Sequence, residues 1–449
     1  MKTLLYRWIK TNSAILVNAG SLIATTGVNA VLGFVYWWLA ARQFLPEAVG
    51  FASAAISAMT LLGTLSILGL GTLLLGELAR QPGKEASLIS AALILVGGVG
   101  ACTGILFAIG APLISTDFEP LRASIQGIAL FATGVSLTAI TLVLDQALIG
   151  LLLGPLQLWR NALFATTKLV ALFAAALWLS HTMGLTIYAT WAGGNAFSLA
   201  ALAAFIVLKG KGSVRSSVPR WALLGKFKLA ALQHHLLNLL LQAPPLILPV
   251  LVTVMLSARM NAWFYISWTI AAFVSFIPVA LGIVLYATGS AQPDLLAHKA
   301  RVTLSLGVVA CIVAYAVVLP AAPQILSLFG HAYEEQSLWS LRILALAAFP
   351  LIIKNHYITI HRIRSRIAHT FLPIATAGLL ELALPALGAG LGGLSGLSLG
   401  VIAALCIEAL YMSPTVYRTV RSMDAALTTD QLQRYTASHD GRHIKDVQT

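Results

Sequence analysis

Charge is scarce in this chain. Only 10% of its 449 residues are Asp, Glu, Lys or Arg, against roughly 25% in an ordinary soluble domain. Apolar residues make up 59% of the chain, which is more than a water-soluble fold can enclose, and the same composition excludes intrinsic disorder. The shortage of charge therefore indicates a polytopic membrane protein.

Acidic residues are even fewer than basic ones, 15 against 28, and the net charge is +13. Such a balance commonly indicates nucleic-acid binding, but here the basic residues are spread thinly between long uncharged runs. Basic residues collect in the cytoplasmic loops of membrane proteins. We therefore expect membrane lipids, and no nucleic acid, as partners of the basic residues.

Paired cysteines and catalytic motifs are also missing. Cys102, Cys311 and Cys406 lie far apart in apolar runs and form neither a CxxC pair nor a disulfide framework. The sequence has no Walker motif and no Ser/His/Asp or metal-ligand spacing, and the glycine-rich run at 388–393 follows no strand. We expect no enzyme, no cofactor and no metal site.

Long apolar runs fill most of the chain. A helix needs about 20 residues to cross the hydrocarbon core, and breaks at charged residues, Pro or Gly divide the chain into twelve spans of that kind. The predicted spans lie near 15–41, 48–76, 86–113, 123–144, 158–180, 187–208, 230–256, 261–288, 302–319, 338–359, 368–387 and 396–416.

Basic residues are distributed unevenly over the two sides that these spans define. Of the 28 Lys and Arg residues, 22 fall on the side of the termini and two, Lys168 and Lys354, fall within spans. Four fall on the opposite side, namely Arg42, Arg122, Arg259 and Arg342. Because basic loops stay inside, this bias predicts that both termini are cytoplasmic.

The chain divides into two halves at a basic run. Residues 209–228 hold six basic and no acidic residues. We predict an N-terminal six-helix lobe at 1–208 that begins with a short interfacial segment, a basic cytoplasmic linker at 209–228, a C-terminal six-helix lobe at 229–416, and a polar, largely flexible cytoplasmic tail at 417–449. A shift of 213 positions aligns the second helices of the two halves through four identical pairs, namely Phe51 with Phe264, Leu68 with Leu281, Gly69 with Gly282 and Gly76 with Gly289. The predicted fold is therefore an all-α membrane protein with a 6+6 parallel pseudo-repeat.

Polar side chains follow one face of the first helix. Asn18, Ser21, Thr25, Asn29 and Tyr36 fall within about a 90° arc of an ideal helix. A stripe of this kind predicts either a wet cavity or hydrogen bonds between helices. Asn18, Thr25 and Asn29 are our candidates for lining a central cavity.

The seventh helix carries a second polar row. His234, Asn238 and Gln242 step by four residues, so we take them as further candidates for the cavity wall. Three prolines follow and are expected to interrupt the backbone, namely Pro244, Pro245 and Pro249. Broken helices at matching places in two halves indicate a central binding site, and placement of the histidines at the cytoplasmic headgroups is the alternative.

Four charged residues lie in the interior of the predicted spans, away from the ends of the spans. A charge near the centre of a membrane costs about 2.5–3.5 kcal/mol, so it usually faces water or a partner. Lys168 is a candidate for the cavity wall, and Lys354 either lines the cavity or reaches the cytoplasmic headgroups. Glu381 and Glu408 could pair with these lysines, stay protonated or couple transport to an ion.

Two segments resemble a known family. The sequence AARQFLPEAVGFASA at 40–54 resembles the turn after the first helix in polysaccharide flippases of the multidrug/oligosaccharidyl-lipid/polysaccharide exporter superfamily, in which an acidic residue and a glycine, here Glu47 and Gly50, open the second helix. The sequence at 325–335, which leads into 341–347, is similar to the family's connection between the ninth and tenth helices. With the twelve-span layout, the resemblance covers most of residues 12–416.

The resemblance implies a V-shaped pair of six-helix lobes around a central cavity, which work by alternating access in the cell inner membrane. It also implies a substrate, a polyprenyl-pyrophosphate-linked oligosaccharide moved outward for cell-surface polysaccharide synthesis, with a polysaccharide polymerase or glycosyltransferases as neighbours in the pathway. Lysines and histidines suit such an anion. Glu381 and Glu408 keep a multidrug or cation antiporter as the alternative, and a membrane polymerase or ligase is disfavoured because the longest predicted external loop, 320–337, is short.

Overall fold

Helices joined by short turns make up the part of the protein that the structure describes. The structure is a computed structural model and describes residues 13–78, 83–178, 184–208, 228–364 and 366–443. No strand occurs among these residues. The α-helices, numbered here in chain order, are α1 Ser13–Gln43, α2 Pro46–Ser66, α3 Leu70–Glu77, α4 Glu85–Ile114, α5 Glu119–Arg122, α6 Ile125–Gly150, α7 Gly154–Trp178, α8 Leu185–Leu208, α9 Lys228–Met255, α10 Ala258–Ala291, α11 Leu296–Ser327, α12 His331–Leu344, α13 Ala348–Ile363 and α14 Phe371–His443.

Eleven helical segments within the described residues are long and apolar enough to cross a membrane. The last of them, Phe371–Arg421, has 51 residues and is broken at Gly392 and Gly393, whose backbone angles are not helical. Gly393 has a φ of +56°, which glycine adopts without strain. The break divides this segment into two spans, so the eleven segments hold twelve spans and the predicted all-α membrane fold is confirmed. The non-helical residues Gly392 and Gly393 make the turn between the last two spans.

The interruptions and boundaries of the helices differ from the expected ones in three places. The predicted span 48–76 is split into α2 and α3 at Leu68 and Gly69, which have φ of +52° and +80°. The predicted interruption of α9 is wrong, because this helix runs unbroken through its three prolines. Each proline removes one backbone hydrogen bond, a loss that a packed membrane helix tolerates. Most of the predicted loop 320–337 is helical, because the polar start of α12 hides that helix from a hydropathy criterion.

The described parts of the chain form two compact units. The first lies within Met1–Thr269, Pro323–Leu338 and Ala389–Leu394, and the second within Ile270–Ala322, Trp339–Gly388 and Ser395–Thr449. The predicted lobes at 1–208 and 229–416 stay a prediction. Both the interfacial segment at 1–10 and all but the last residue of the linker at 209–228 lie outside the described residues, and the backbone of the tail is helical to His443, where we expected a largely flexible extension.

Small residues let two helices of the first unit meet along their length. A side chain at Gly100 of α4 would meet Cα of Ser136 in α6 at 3.0 Å, and one at Gly104 would meet Cα of Ala132 at 2.7 Å. Only glycine fits at such distances, as in other small-xxx-small contacts of membrane helices. The pair Gly100 and Gly104 is therefore a close contact between α4 and α6.

Candidate functional site: two buried lysines

Lys168 of α7 lies in a box of aromatic rings inside the first unit. Only 4% of the residue is exposed. Its Nζ is 3.3 Å from the ring centroid of Trp191 in α8, 4.6 Å from that of Phe164 and 5.1 Å from that of Tyr36 in α1. Phe164 precedes Lys168 by one helical turn and therefore shares its face of α7. We call Lys168 and these three rings the aromatic box.

The rings of the aromatic box are held by contacts of their own. The hydroxyl of Tyr36 donates to the carbonyl oxygen of Ile187 at 2.9 Å and lies 2.9 Å from the hydroxyl of Thr190. Tyr36 meets Trp191 edge to face, with ring centroids 5.4 Å apart. Because the rings are fixed from three helices, their faces stay directed at the ammonium group.

No carboxylate pairs with Lys168 in the part of the chain that the structure describes, and no hydrogen-bond acceptor there receives its ammonium. Ring faces attract a cation through their quadrupoles, by about 2 kcal/mol when the group is desolvated. They do not neutralise its charge. Lys168 therefore keeps its attraction for an anion, and this is the chemical property of the box.

The polar face of α1 packs against α7. Asn18 donates to the carbonyl oxygen of Leu152 at 3.0 Å and accepts from the backbone N–H of Gly154 at 2.6 Å. Thr25 is buried and its hydroxyl donates to the carbonyl oxygen of Ser21 at 2.8 Å. The bond from Gly154 to Asn18 is a hydrogen bond between helices, which we named as the alternative to a wet wall, whereas the bond of Thr25 lies within α1. Cavity lining by Asn18 and Thr25 stays a prediction.

Asn29 leads into a buried charged network that the sequence did not reveal. Its side-chain N–H lies 3.5 Å from Oδ1 of Asn161, and Nδ2 of Asn161 donates to Asp145 at 3.1 Å. Arg160 forms two parallel hydrogen bonds to the same carboxylate, at 3.0 and 2.8 Å. We counted Arg160, at the edge of the predicted span 158–180, among the loop residues on the side of the termini. The loop placement is wrong: Arg160 is 2% exposed inside α7, because Asp145 offers it a bidentate partner.

Lys354 of α13, in the second unit, has the opposite surroundings. Its ammonium is paired with Glu381 and lies 2.9 Å from Oε2 of Glu408. The alternative of Lys354 reaching the headgroups is wrong, because two carboxylates from α14 hold it 9% exposed within the helices. Of the open alternatives for Glu381 and Glu408, pairing with a lysine is the one found. We call these three residues the carboxylate triad.

The carboxylate triad holds more negative than positive charge. When both carboxylates are ionised, one ammonium faces two of them, which leaves one negative charge uncompensated. Glu408 is 3% exposed, and its Oε1 accepts no hydrogen bond from the described residues. A buried acceptor without a donor is unfavourable, so this oxygen is open to a proton or a cation.

The predicted cavity residues of α9 belong neither to the aromatic box nor to the carboxylate triad. Asn238 and Gln242 are exposed and make no hydrogen bond to the described residues, while the side chain of His234 lies outside them. The neighbouring His235 is the buried one, 7% exposed. Binding by His234, Asn238 and Gln242 stays a prediction.

A third cluster joins the start of α2 to the start of α10, within the first unit. Glu47 is ion-paired with Arg259, and Asn261 donates to the carbonyl oxygen of Gly50 at 2.8 Å and to the hydroxyl of Ser53 at 3.0 Å. A side chain at Gly50 would collide with the carbonyl oxygen of Ala258. We call this contact the α2–α10 seam, and it gives structural roles to Glu47 and Gly50, the residues of the family resemblance.

Comparison with known proteins identifies solved structures with a similar fold. No protein-family model matches the sequence, and no curated protein matches it. Among solved structures, a multidrug resistance MATE family transporter of the MOP superfamily in an inward-facing conformation is 13% identical, with 88% of this chain and 98% of that chain covered and a TM-score of 0.67.

Two further solved structures agree. The lipid II flippase MurJ, in an inward closed conformation, is 13% identical over 88% of this chain and 87% of its own, with a TM-score of 0.62. A MOP superfamily transporter from Pyrococcus furiosus, described as having a binding pocket of reverse polarity, is 13% identical over 92% and 96%, with a TM-score of 0.57. The protein is therefore a multi-pass membrane protein with the fold of the MOP superfamily transporters.

Proposed function

We propose that the protein is a flippase that moves a polyprenyl-pyrophosphate-linked oligosaccharide from the inner to the outer leaflet of the cell inner membrane, for cell-surface polysaccharide synthesis. The observation that carries this proposal is Lys168, a buried ammonium surrounded by rings and paired with no described carboxylate. Its role is to bind the pyrophosphate. A lipid pyrophosphate is anionic, and a lysine acts on it as a point charge.

Lys168 suits this role better than Lys354. The two carboxylates beside Lys354 oppose its positive charge, so an approaching pyrophosphate would be repelled by Glu381 and Glu408. The rings around Lys168 carry no net charge, so its ammonium can bind an anion without first breaking an ion pair. Lys354 as a substrate contact stays a prediction, and its carboxylates fit ion coupling better.

The α2–α10 seam supports alternating access. By the count of basic residues, Glu47 and Arg259 lie at the outer side, where the substrate must leave. The side chains of this ion pair are 44% and 60% exposed, and exposed pairs contribute only about 0–1 kcal/mol. A pair of this strength can form in one state and break in another, so we assign the Glu47–Arg259 pair, rather than the buried hydrogen bonds of Asn261, the role of an outer gate.

Cysteine labelling tests this orientation. With the native cysteines replaced, a membrane-impermeant thiol reagent added outside should label Glu335→Cys, which is 57% exposed, and should fail to label Ser213→Cys in the predicted cytoplasmic linker. Ser337 is unsuitable as the outer position, because it is fully buried and its hydroxyl donates to the carbonyl oxygen of Trp263. The reverse labelling pattern would contradict cytoplasmic termini and the proposed direction of transport.

A cation antiporter is the second candidate. The carboxylate triad favours it, because its uncompensated negative charge could attract a proton or a cation. A transport assay with the purified protein in liposomes distinguishes the two functions. A flippase moves a labelled polyprenyl-pyrophosphate oligosaccharide between leaflets, whereas an antiporter exchanges an organic cation for protons or Na⁺. Movement of the cation without movement of the lipid would overturn the flippase proposal. A polysaccharide polymerase or glycosyltransferases would then no longer be expected as partners.

A further inference from the structure

An apolar groove lies between α11 and α12 in the second unit. Its volume is about 470 Å³, within the range of sites that hold small ligands. It is lined by Tyr315, Leu319, Trp339, Arg342, Ile343 and Leu346. A single charged residue, Arg342, thus lies in a lining that is otherwise aromatic and aliphatic.

Among the described residues, Arg342 has no polar partner that matches its charge. Its guanidinium carbon lies 5.4 Å from the ring centroid of Trp339, and its Nε is buried without a hydrogen-bond partner among the described residues. No carboxylate in that part of the chain forms an ion pair with it. Because a buried donor left unpaired is unfavourable, the groove lacks an anionic acceptor.

The groove opens toward lipid at the depth of the headgroups. Leu319 follows Lys299 by 20 residues of α11, a rise of about 30 Å, which equals the thickness of the hydrocarbon core. Trp339 is 64% exposed, and Val309 and Val313 of α11 are each 58% exposed. Exposed aliphatic residues that end at Trp and Tyr are typical of a lipid-facing surface at the membrane interface.

We propose that this groove binds one glycerophospholipid with a net negative headgroup. The lipid belongs to the membrane leaflet opposite the one at which Lys299 lies. Arg342 donates to the phosphate, and an acyl chain lies against Leu319 and Leu346. Charge complementarity selects this occupant: the groove presents one cation with a free donor at headgroup depth, above an apolar wall. The assignment does not rest on the proposed transport function, since lipid binding is measured without transport.

Native mass spectrometry of the full-length protein in detergent tests the site, with palmitoyl-oleoyl phosphatidylglycerol and the matching phosphatidylcholine as probes. We expect the protein to retain phosphatidylglycerol about fivefold more strongly, the effect of one basic residue at an anionic lipid. Arg342→Gln should lose this preference, whereas Arg342→Lys should keep most of it. Arg122→Gln, which removes another arginine predicted on the same side, should keep all of it.

A second variant distinguishes loss of the binding site from misfolding. Leu319→Trp fills the groove and leaves Arg342 in place, so it should also lose phosphatidylglycerol, while its unfolding temperature shows whether the fold is intact. An undiminished preference in Arg342→Gln, or no preference in the unaltered protein, would overturn the proposal. Displacement of phosphatidylglycerol by an equimolar polyprenyl phosphate would also overturn it, because the occupant would then be a polyprenyl lipid.

Discussion

Lys168 and Lys354 have the same side chain and nearly the same burial, 4% and 9% exposed, but opposite surroundings. Lys168 is covered by aromatic rings from three helices, and Lys354 is held by two carboxylates. Rings and carboxylates both stabilise a cation, but only carboxylates also neutralise it. Burial alone therefore does not indicate the role of an intramembrane lysine, and the charge of its neighbours does.

The largest effect should follow the removal of the paired lysine. Lys354→Met leaves the buried Glu408 and the partly buried Glu381 without a cation, and breaking a buried pair in this way costs about 3–5 kcal/mol. We expect a clear fall in the unfolding temperature of the purified protein. Lys168→Met is the matched control, since it removes a buried charge without stranding another, and its unfolding temperature should be unchanged or higher.

Neutralising all three members of the carboxylate triad should reverse that loss. In the variant Lys354→Met, Glu381→Met and Glu408→Met, no buried charge is left, and replacement of a whole buried ion pair by apolar residues of similar volume is often neutral. We expect the unfolding temperature to return close to that of the unaltered protein. If Lys354→Met alone were as stable as Lys168→Met, the contrast between the two lysines would fail.

A smaller effect is expected from the aromatic box. Trp191→Leu removes the ring face nearest to the Lys168 ammonium, a contribution of about 2 kcal/mol for a desolvated cation. Trp191→Phe keeps a ring at the same place and is the control for lost packing. Unfolding temperatures should fall in the order unaltered protein, Phe variant, Leu variant, and the difference between the two variants should vanish in a Lys168→Met background. A difference that persists there would assign the effect to packing alone.

The smallest effect should come from one carboxylate of the triad. In Glu381→Gln, Lys354 still lies 2.9 Å from Glu408, and one ammonium then faces one carboxylate. We expect a change in stability within about 1 kcal/mol, because the remaining pair is balanced. The same variant sharpens the role of the triad: if it couples transport to an ion, transport by Glu381→Gln should depend less on the proton or Na⁺ gradient. Unchanged ion dependence would leave the triad a structural role only.

The sequence predicted the class and layout of the fold but few of the contacts of the site. The span positions follow from hydropathy, which local composition determines, and the two intramembrane lysines follow from the same criterion. The partners of these residues do not follow from hydropathy. Tyr36 and Trp191 contact Lys168 from other helices, and Arg160 of α7 pairs with Asp145 of α6. Such pairs depend on how helices rotate against each other, which hydropathy leaves undetermined.

Two particular errors have the same origin. Arg160 counted as a loop residue because a charge at the predicted edge of a span is indistinguishable from a charge outside it, until its buried partner is known. The prolines of α9 counted as breaks because proline is a strong breaker in water, whereas membrane helices often continue through it. The break that does occur, at Leu68 and Gly69, has no counterpart in the unbroken α10 at Leu281 and Gly282, although the repeat aligns them.

Transport by Lys168 variants is the most direct test of the account. Purified protein in liposomes should move a labelled polyprenyl-pyrophosphate oligosaccharide between leaflets, and Lys168→Gln should lose most of that rate while its unfolding temperature is unchanged or higher. Lys168→Arg should keep part of the rate, since the charge is retained in a different geometry, and Lys299→Gln, which removes a partly exposed lysine of α11, should keep all of it. Full transport by Lys168→Gln would contradict the assignment of this lysine to the pyrophosphate.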